Sequence, residues 1–277
     1  RTASSQFISA LLLIAPALPR GISVHASEPL TSPSYVELTL QVMAPHARIR
    51  TVGDRPARTA GGRIEVDGGG LEAFDVTVEP DASTAMYWMA AAALVPGSSV
   101  RVPDLDLHGP QPDARGILAV RDLGVEARTE RAAGGLGPGS VFGGRLQRGG
   151  RLDASDWPDG SLAVAAMAAA GREPVRLDGL RTLRVKETDR IAALANELQR
   201  LGCRVEHSDD HLTVDPRTRH EQPVVIETYD DHRMAMAFAV LGLARPGIAI
   251  ADPACVAKSH PGFWRDLGRI VRAGADD

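Results

Sequence analysis

The sequence predicts an α/β protein assembled from repeated units of buried helix, strand and exposed helix. Three patterns carry this expectation. Four segments, 4–18, 83–94, 159–170 and 231–244, open on Ser or Asp and continue in Ala, Leu and Met with almost no charge. Small apolar residues on every side of a helix predict interior helices. Their starts recur at a period of roughly 75 residues, a fixed repeat in the sense of a solenoid, though longer. Between them lie amphipathic helices over 113–123, 189–201 and 261–273, with Arg and Asp on one face, predicted nearer solvent. The first two run into Gly124 and Gly202, a C-cap signal, and then into strand-like sequence. Alternating segments at 35–40, 74–78, 211–214 and 224–227 predict the strands, with mixed pairing.

Glu79-Pro80-Asp81 follows a predicted strand and precedes a new repeat, so it is the predicted boundary. Residues 1–79 then hold one repeat unit and its tail, an incomplete first lobe. Residues 80–277 hold three units, opening at Ser83, Asp159 and Asp231, and form a second lobe. The chain opens on Arg1, and three units against one suggest that the first lobe continues upstream. The glycine runs at 68–70 and 134–139 read as loops. Neither leads from strand to helix with phosphate-loop spacing, which argues against a nucleotide site.

Composition excludes several classes. A net charge of −4 provides no bulk field for nucleic acid or an acidic membrane, so any anion site must be built locally. An aromatic content of 4% disfavours a base-stacking surface. Cys203 and Cys255, the only cysteines, give neither a disulfide framework nor a zinc pattern and suit a reducing cytosol. The apolar run from Phe7 to Leu18 is too short to span a bilayer and reads as a buried helix.

One stretch concentrates chemistry. Leu183-Arg184-Val185-Lys186-Glu187-Thr188-Asp189-Arg190-Ile191 places a lysine, two arginines and two carboxylates at a helix start, with Thr188 and Asp189 as cap-type residues. A helix N-terminus favours an anion. The chain has 31 Lys and Arg residues together, yet only Lys186 and Lys258 are lysines. Where arginine serves almost everywhere as the cation, the two lysines are the basic residues least suited to a decorative role, because a compact ammonium does not interchange with a planar fork.

With these motifs in view, the chain resembles the 3-phosphoshikimate 1-carboxyvinyltransferase (EPSP synthase) family. Ser4-Ser5-Gln6-Phe7 is similar to the family's Ser-Ser-Gln segment, and Ser32 with Tyr35 to its substrate-contacting loop. Asp81-Ala82-Ser83-Thr84-Ala85 matches its lobe-crossing segment. Arg184 to Ile191, Asp231-His232-Arg233-Met234-Ala235-Met236 and Ala257-Lys258-Ser259-His260-Pro261 resemble its remaining signatures. The resemblance implies a two-lobed enolpyruvate transferase fold of repeated βαβαββ-type units, whose buried central helices aim their N-termini at an interlobe cleft. It implies transfer of the carboxyvinyl group of phosphoenolpyruvate to the 5-hydroxyl of shikimate 3-phosphate, with no metal or organic cofactor. The expected partners are those two small molecules, with no nucleic acid and no membrane, in a cytoplasmic enzyme that is a monomer when full length.

Residue by residue, the resemblance assigns Ser4, Ser5, Gln6, Ser32, Tyr35, Asp159, Thr182 and Lys186 to shikimate 3-phosphate. It assigns Gln6, Arg190, His232, Arg233 and Lys258 to phosphoenolpyruvate. Asp159 would accept the hydroxyl proton, Glu187 would carry a proton to and from the methylene carbon, and Lys258 could donate one. The residues themselves also read more simply. Ser4 to Gln6 and Asp159 are N-cap types, Ser32 and Tyr35 a turn and a strand edge, and Glu187 an ion-pair partner of Arg184 or Arg190. His207 and His211 flank a predicted hairpin turn and read as surface residues, with metal binding as the other reading. Two departures stand out: Thr182 replaces the family's usual Asn, which leaves a single donor, and His260 stands where an aromatic is common.

Two other readings remain at this point. One is the related carboxyvinyltransferase that acts on UDP-N-acetylglucosamine; the other is a non-catalytic remnant or one lobe of a split protein. The family's lysine-serine-arginine segment and glycine-arginine loop are expected before Arg1. The 277 residues alone are therefore expected to be inactive, and the helix at 4–18 to leave an apolar side uncovered.

Overall fold

A computed structural model describes residues 5–131, 138–216 and 222–273. In chain order the elements are α1 (Ser5–Ile14), β1 (Ile22–His25), α2 (Pro33–Met43), β2 (Ile49–Val52), β3 (Arg63–Val66), α3 (Ala82–Leu94), β4 (Val100–Val102), α4 (Pro112–Ala119), β5 (Val125–Arg131) and β6 (Pro138–Gly144). They continue as β7 (Gly150–Asp153), α5 (Ser161–Ala169), β8 (Val175–Asp178), α6 (Arg190–Arg200), β9 (Arg204–His207), β10 (His211–Asp215), β11 (Val224–Ile226), α7 (His232–Leu241), β12 (Ile248–Ile250) and α8 (Phe263–Ala273).

Apolar side chains gather in two separate cores. The smaller includes Ile8, Leu12, Val36, Met43, Ile64 and Val66 and joins α1 and α2 to the antiparallel sheet β1-β3-β2. The larger runs from Ala82 to Leu267. At its centre α3, α5 and α7 pack on one another. All nine residues of α5 are buried, as are eleven of the thirteen in α3, which the all-round small apolar sequence predicts. Around them lie the sheets β4-β6-β5, β7-β8-β10-β9 and β11-β12. The β7–β8 and β11–β12 pairs are parallel and the others antiparallel, the mixed pairing expected. Gly124 (φ 95°) and Gly202 (φ 83°) take left-handed turns into β5 and β9, as the C-cap reading requires. β9 and β10 form the hairpin whose turn carries Ser208-Asp209-Asp210, closed by Ser208 N–H donating to His211 O.

Several expectations are corrected. Residues 35–40 are helical: Ser32 is left-handed (φ 49°), Pro33 occupies the first turn, and Val36, Leu40 and Met43 form an i, i+4, i+7 stripe against α1. Period-2 alternation there was a by-product of that stripe. Residues 74–78 join no sheet; Val76 and Val78 are exposed, and Phe74 stacks instead on His46 at 3.6 Å between centroids. The helix at 4–18 ends at Ile14, followed by a 3-10 turn containing Pro16, and it is not interior. Phe7 (64% exposed), Leu11, Leu13 and Ile14 face outward, the uncovered apolar side anticipated from the sequence. Asp113 and Arg190 were assigned to solvent-facing helices but are 2% and 1% exposed. Ser4 and the run 134–137 lie outside the described residues. Among the described residues, no helix is long and apolar enough to cross a membrane, and no His, Cys, Asp and Glu side chains cluster as metal ligands.

Candidate active site

The two cores meet across a cavity of about 620 Å³. The starts of five helices surround it. Ser5 and Gln6 come from α1, and Ser32 and Tyr35 from the start of α2. Asp159 stands just before α5, Thr182 to Arg190 lead into α6, and His232 and Arg233 open α7. Lys258 ends, and Ser259 follows, a 3-10 turn ahead of α8. Every residue that the resemblance implied for the site, Ser4 apart, lines this cavity. First-turn N–H groups and helix dipoles give its wall a positive bias before any side chain is counted.

Arg190 is the electrostatic centre. Its Nε and Nη2 donate to Asp231 at 2.7 and 3.2 Å, Nη1 to Asp159 at 2.8 Å, and Nη2 also to Glu187 at 2.7 Å. Burial alone would lower its affinity for a proton, but the hydrogen bonds and charge of Asp231, with Asp159, raise it further. Asp231, fully buried, also caps α7 by accepting from Arg233 N at 2.8 Å. Asp189, the predicted cap of α6, accepts from Ala192 N. Asp159 proves not to be a helix cap. It sits in the 3-10 turn Pro158–Gly160, and its carboxylate meets Arg190, Lys186 Nζ at 3.3 Å and Arg233 Nη2 at 3.8 Å. Burial raises its proton affinity, but Arg233, Lys186 and Arg190 outweigh that and hold it below the usual range.

Glu187 pairs with Arg190 and, at the mouth of the cavity, with Lys258. Sequence alone could not rank burial against cations here. In the fold burial raises Glu187, but the Lys258 hydrogen bond and the Arg190 charge prevail and bring it down to about 2. The sequence placed Lys186 beside Glu187; space places Lys186 on Asp159 instead. His232 is pushed toward its neutral form by burial and then by Arg233, and its Nδ1 has no hydrogen-bond partner. Thr182 Oγ1 is likewise buried against the cavity without a partner. His260, in place of the usual aromatic, packs edge-on against Trp88 and Phe263 at 5.8 and 5.9 Å.

Sequence reasoning missed Asp113. It accepts from Ser83 Oγ, from Gly160 N at 3.0 Å and from Tyr35 OH at 3.4 Å, just behind the cavity wall. One aspartate in the first turn of an apparently amphipathic helix carries no sequence signal of such a position.

An α/β fold with two cores, their helix starts converging on a cleft of paired cations and carboxylates, defines a site suited to binding anions. The chain belongs to the EPSP synthase (3-phosphoshikimate 1-carboxyvinyltransferase) family, whose family model matches residues 1–267. Among relatives, it is 38% identical over 272 residues to the 3-phosphoshikimate 1-carboxyvinyltransferase of Bacteroides fragilis, covering 95% of this chain and 62% of that one. It is 35% identical to that of Idiomarina loihiensis, covering 98% and 60%. Among solved structures it is similar to an EPSP synthase of Acinetobacter baumannii, with a TM-score of 0.74, 26% identity and coverage of 96% and 60%. An enolpyruvyl transferase of Streptomyces tendae, at TM-score 0.66 and 21% identity, shares the fold. The chain spans about 60% of the length of the curated relatives it matches.

Proposed function

We propose that the protein carrying these residues transfers the carboxyvinyl group of phosphoenolpyruvate to the 5-hydroxyl of shikimate 3-phosphate, releasing phosphate. The carrying observation is convergence: twelve family-implied residues, scattered from Ser5 to Lys258, line one cavity. We further propose that residues 1–79 and 80–277 are parts of two lobes, and that the enzyme is cytoplasmic and monomeric.

Asp159 takes the proton as the 5-hydroxyl oxygen attacks C2 of phosphoenolpyruvate, while C3 is protonated from Glu187 or Lys258. The tetrahedral adduct then loses phosphate, and a C3 proton returns to Glu187 as the double bond re-forms. The ion pairs suit a gate on this sequence. Before substrate binds, Lys186, Arg190 and Lys258 are engaged by the site's own carboxylates. An incoming phosphate and carboxylate compete for those cations. Drawing Lys258 away from Glu187 removes the bond that keeps Glu187 ionised, so its proton affinity rises when a proton is needed. Ser5, Gln6, Ser32, Tyr35, Thr182 and Lys186 would hold shikimate 3-phosphate, and Arg190, His232, Arg233 and Lys258 phosphoenolpyruvate.

The test is phosphate release from the two substrates by a protein of the relatives' full length carrying these residues. Release that requires both substrates is expected. No release, with calorimetry showing no binding of shikimate 3-phosphate, would overturn the reading.

A further inference from the structure

Asp113 is a heavily engaged buried group outside the roles above. It opens α4, 2% exposed, and its two oxygens serve three different parts of the chain. Oδ1 accepts from the backbone N–H of Gly160, the residue after Asp159. Oδ2 accepts from Ser83 Oγ in the first turn of α3 and from Tyr35 OH, which crosses from the smaller core. The approach to Gly160 is built in. A Cβ at Gly160 would lie 2.0 Å from Met86 Sδ and 2.8 Å from Asp113 Oδ1, so only glycine lets the carboxylate reach that turn. A similar constraint fixes α4 itself, because a Cβ at Gly116 would lie 2.6 Å from the Trp157 ring. Asp113 is thus held against the segment 157–160 from two sides.

We propose that Asp113 is a positioning residue for the transfer reaction, setting the Tyr35 hydroxyl from behind while anchoring the turn that bears Asp159. The proposal rests on the function proposed above. Tyr35 lines the cavity; Asp113 does not, and so acts through it. Burial raises the proton affinity of Asp113, and Arg233 is the strongest influence opposing it. Burial lowers the proton affinity of Arg233, but Tyr87 first, then Asp159 and Asp113, raise it. Tyr35 is raised by its own burial and then by Asp113, which keeps its hydroxyl a donor.

The substitutions separate these duties. Asp113→Asn keeps an oxygen for Gly160 N–H, so the Asp159 turn stays, but loses the carboxylate oxygen that accepts from Tyr35 OH. Asp113→Ala removes both. In a full-length protein carrying these residues, Asp113→Asn should raise KM for shikimate 3-phosphate roughly 10-fold with kcat near wild type. Asp113→Ala should lower kcat as well, by roughly 10-fold or more, and both variants should melt within a few degrees of wild type. Unchanged constants in Asp113→Asn would overturn the proposal, as would a parallel collapse of kcat and melting temperature, which marks a merely structural group. A second readout is independent of the reaction. The chain has three tyrosines. Absorbance titration of Asp113→Asn should show one of them ionising at lower pH than in wild type. If wild type releases no phosphate, the functional reading fails, and this titration decides about Asp113: an unshifted curve overturns it.

Discussion

Removing Asp231 tests how the site is held together. Its carboxylate is fully buried and bonded twice to Arg190, itself 1% exposed, and it also caps α7. Breaking a buried pair by deleting one partner costs about 3–5 kcal/mol, because the remaining charge is left without compensation. Here Arg190 keeps Asp159 and Glu187, so the low end applies. Asp231→Asn, which retains an oxygen for the Arg233 N–H, should cost about 3 kcal/mol. Asp231→Ala also loses the cap, about 1 kcal/mol more. Trp88, Trp157 and Trp264 all belong to the larger core, so tryptophan fluorescence in urea follows the unfolding of that core alone. At a slope of about 2 kcal/mol per molar urea, the midpoint should fall by about 1.5 M in Asp231→Asn and about 2 M in Asp231→Ala. A loss below about 1 kcal/mol in both variants would refute the reasoning, since the neighbouring carboxylates would then suffice to hold Arg190.

Four further outcomes are expected. Lys258→Arg should lose activity roughly 10-fold or more in steady-state phosphate release although the charge is kept, because the longer planar fork misplaces the donor that meets Glu187. Asp159→Ala and Glu187→Ala should each slow single-turnover chemistry by roughly 10²-fold while calorimetry still detects shikimate 3-phosphate binding. Thr182→Asn should tighten shikimate 3-phosphate binding in the same calorimetry, since the buried Oγ1 has no protein partner and an amide brings a second donor hydrogen. Glu187 sits near 2 in the fold against its ordinary 4.5, so its stabilising contribution is complete above about 4.5 and lost as pH falls toward about 2. Acid unfolding of Glu187→Gln should accordingly be less steep than wild type within that window.

The sequence alone determined the local signals. The Ala-rich segments at 83–94 and 159–170, with almost no charge, predicted interior helices, and α3 and α5 are buried almost throughout. Gly124 and Gly202 marked helix ends because left-handed φ needs no neighbour to be favourable there. The scarcity of lysine singled out Lys186 and Lys258, both of which line the cavity. What only the tertiary structure decided was pairing between residues far apart in the chain. Residues 35–40 alternate like a strand, yet they coil because α1 offers a partner for a helical stripe. Residues 74–78 alternate as well, yet they pair with no strand among the described residues. Charge shows the same division. Asp113 and Arg190 look like solvent-facing charges along the chain. Their burial becomes affordable only when Ser83, Gly160 and Tyr35 converge on the one, and Asp159, Glu187 and Asp231 on the other. An isolated charge cannot leave water, and the groups that compensate it lie up to 78 residues away, where no local pattern records them.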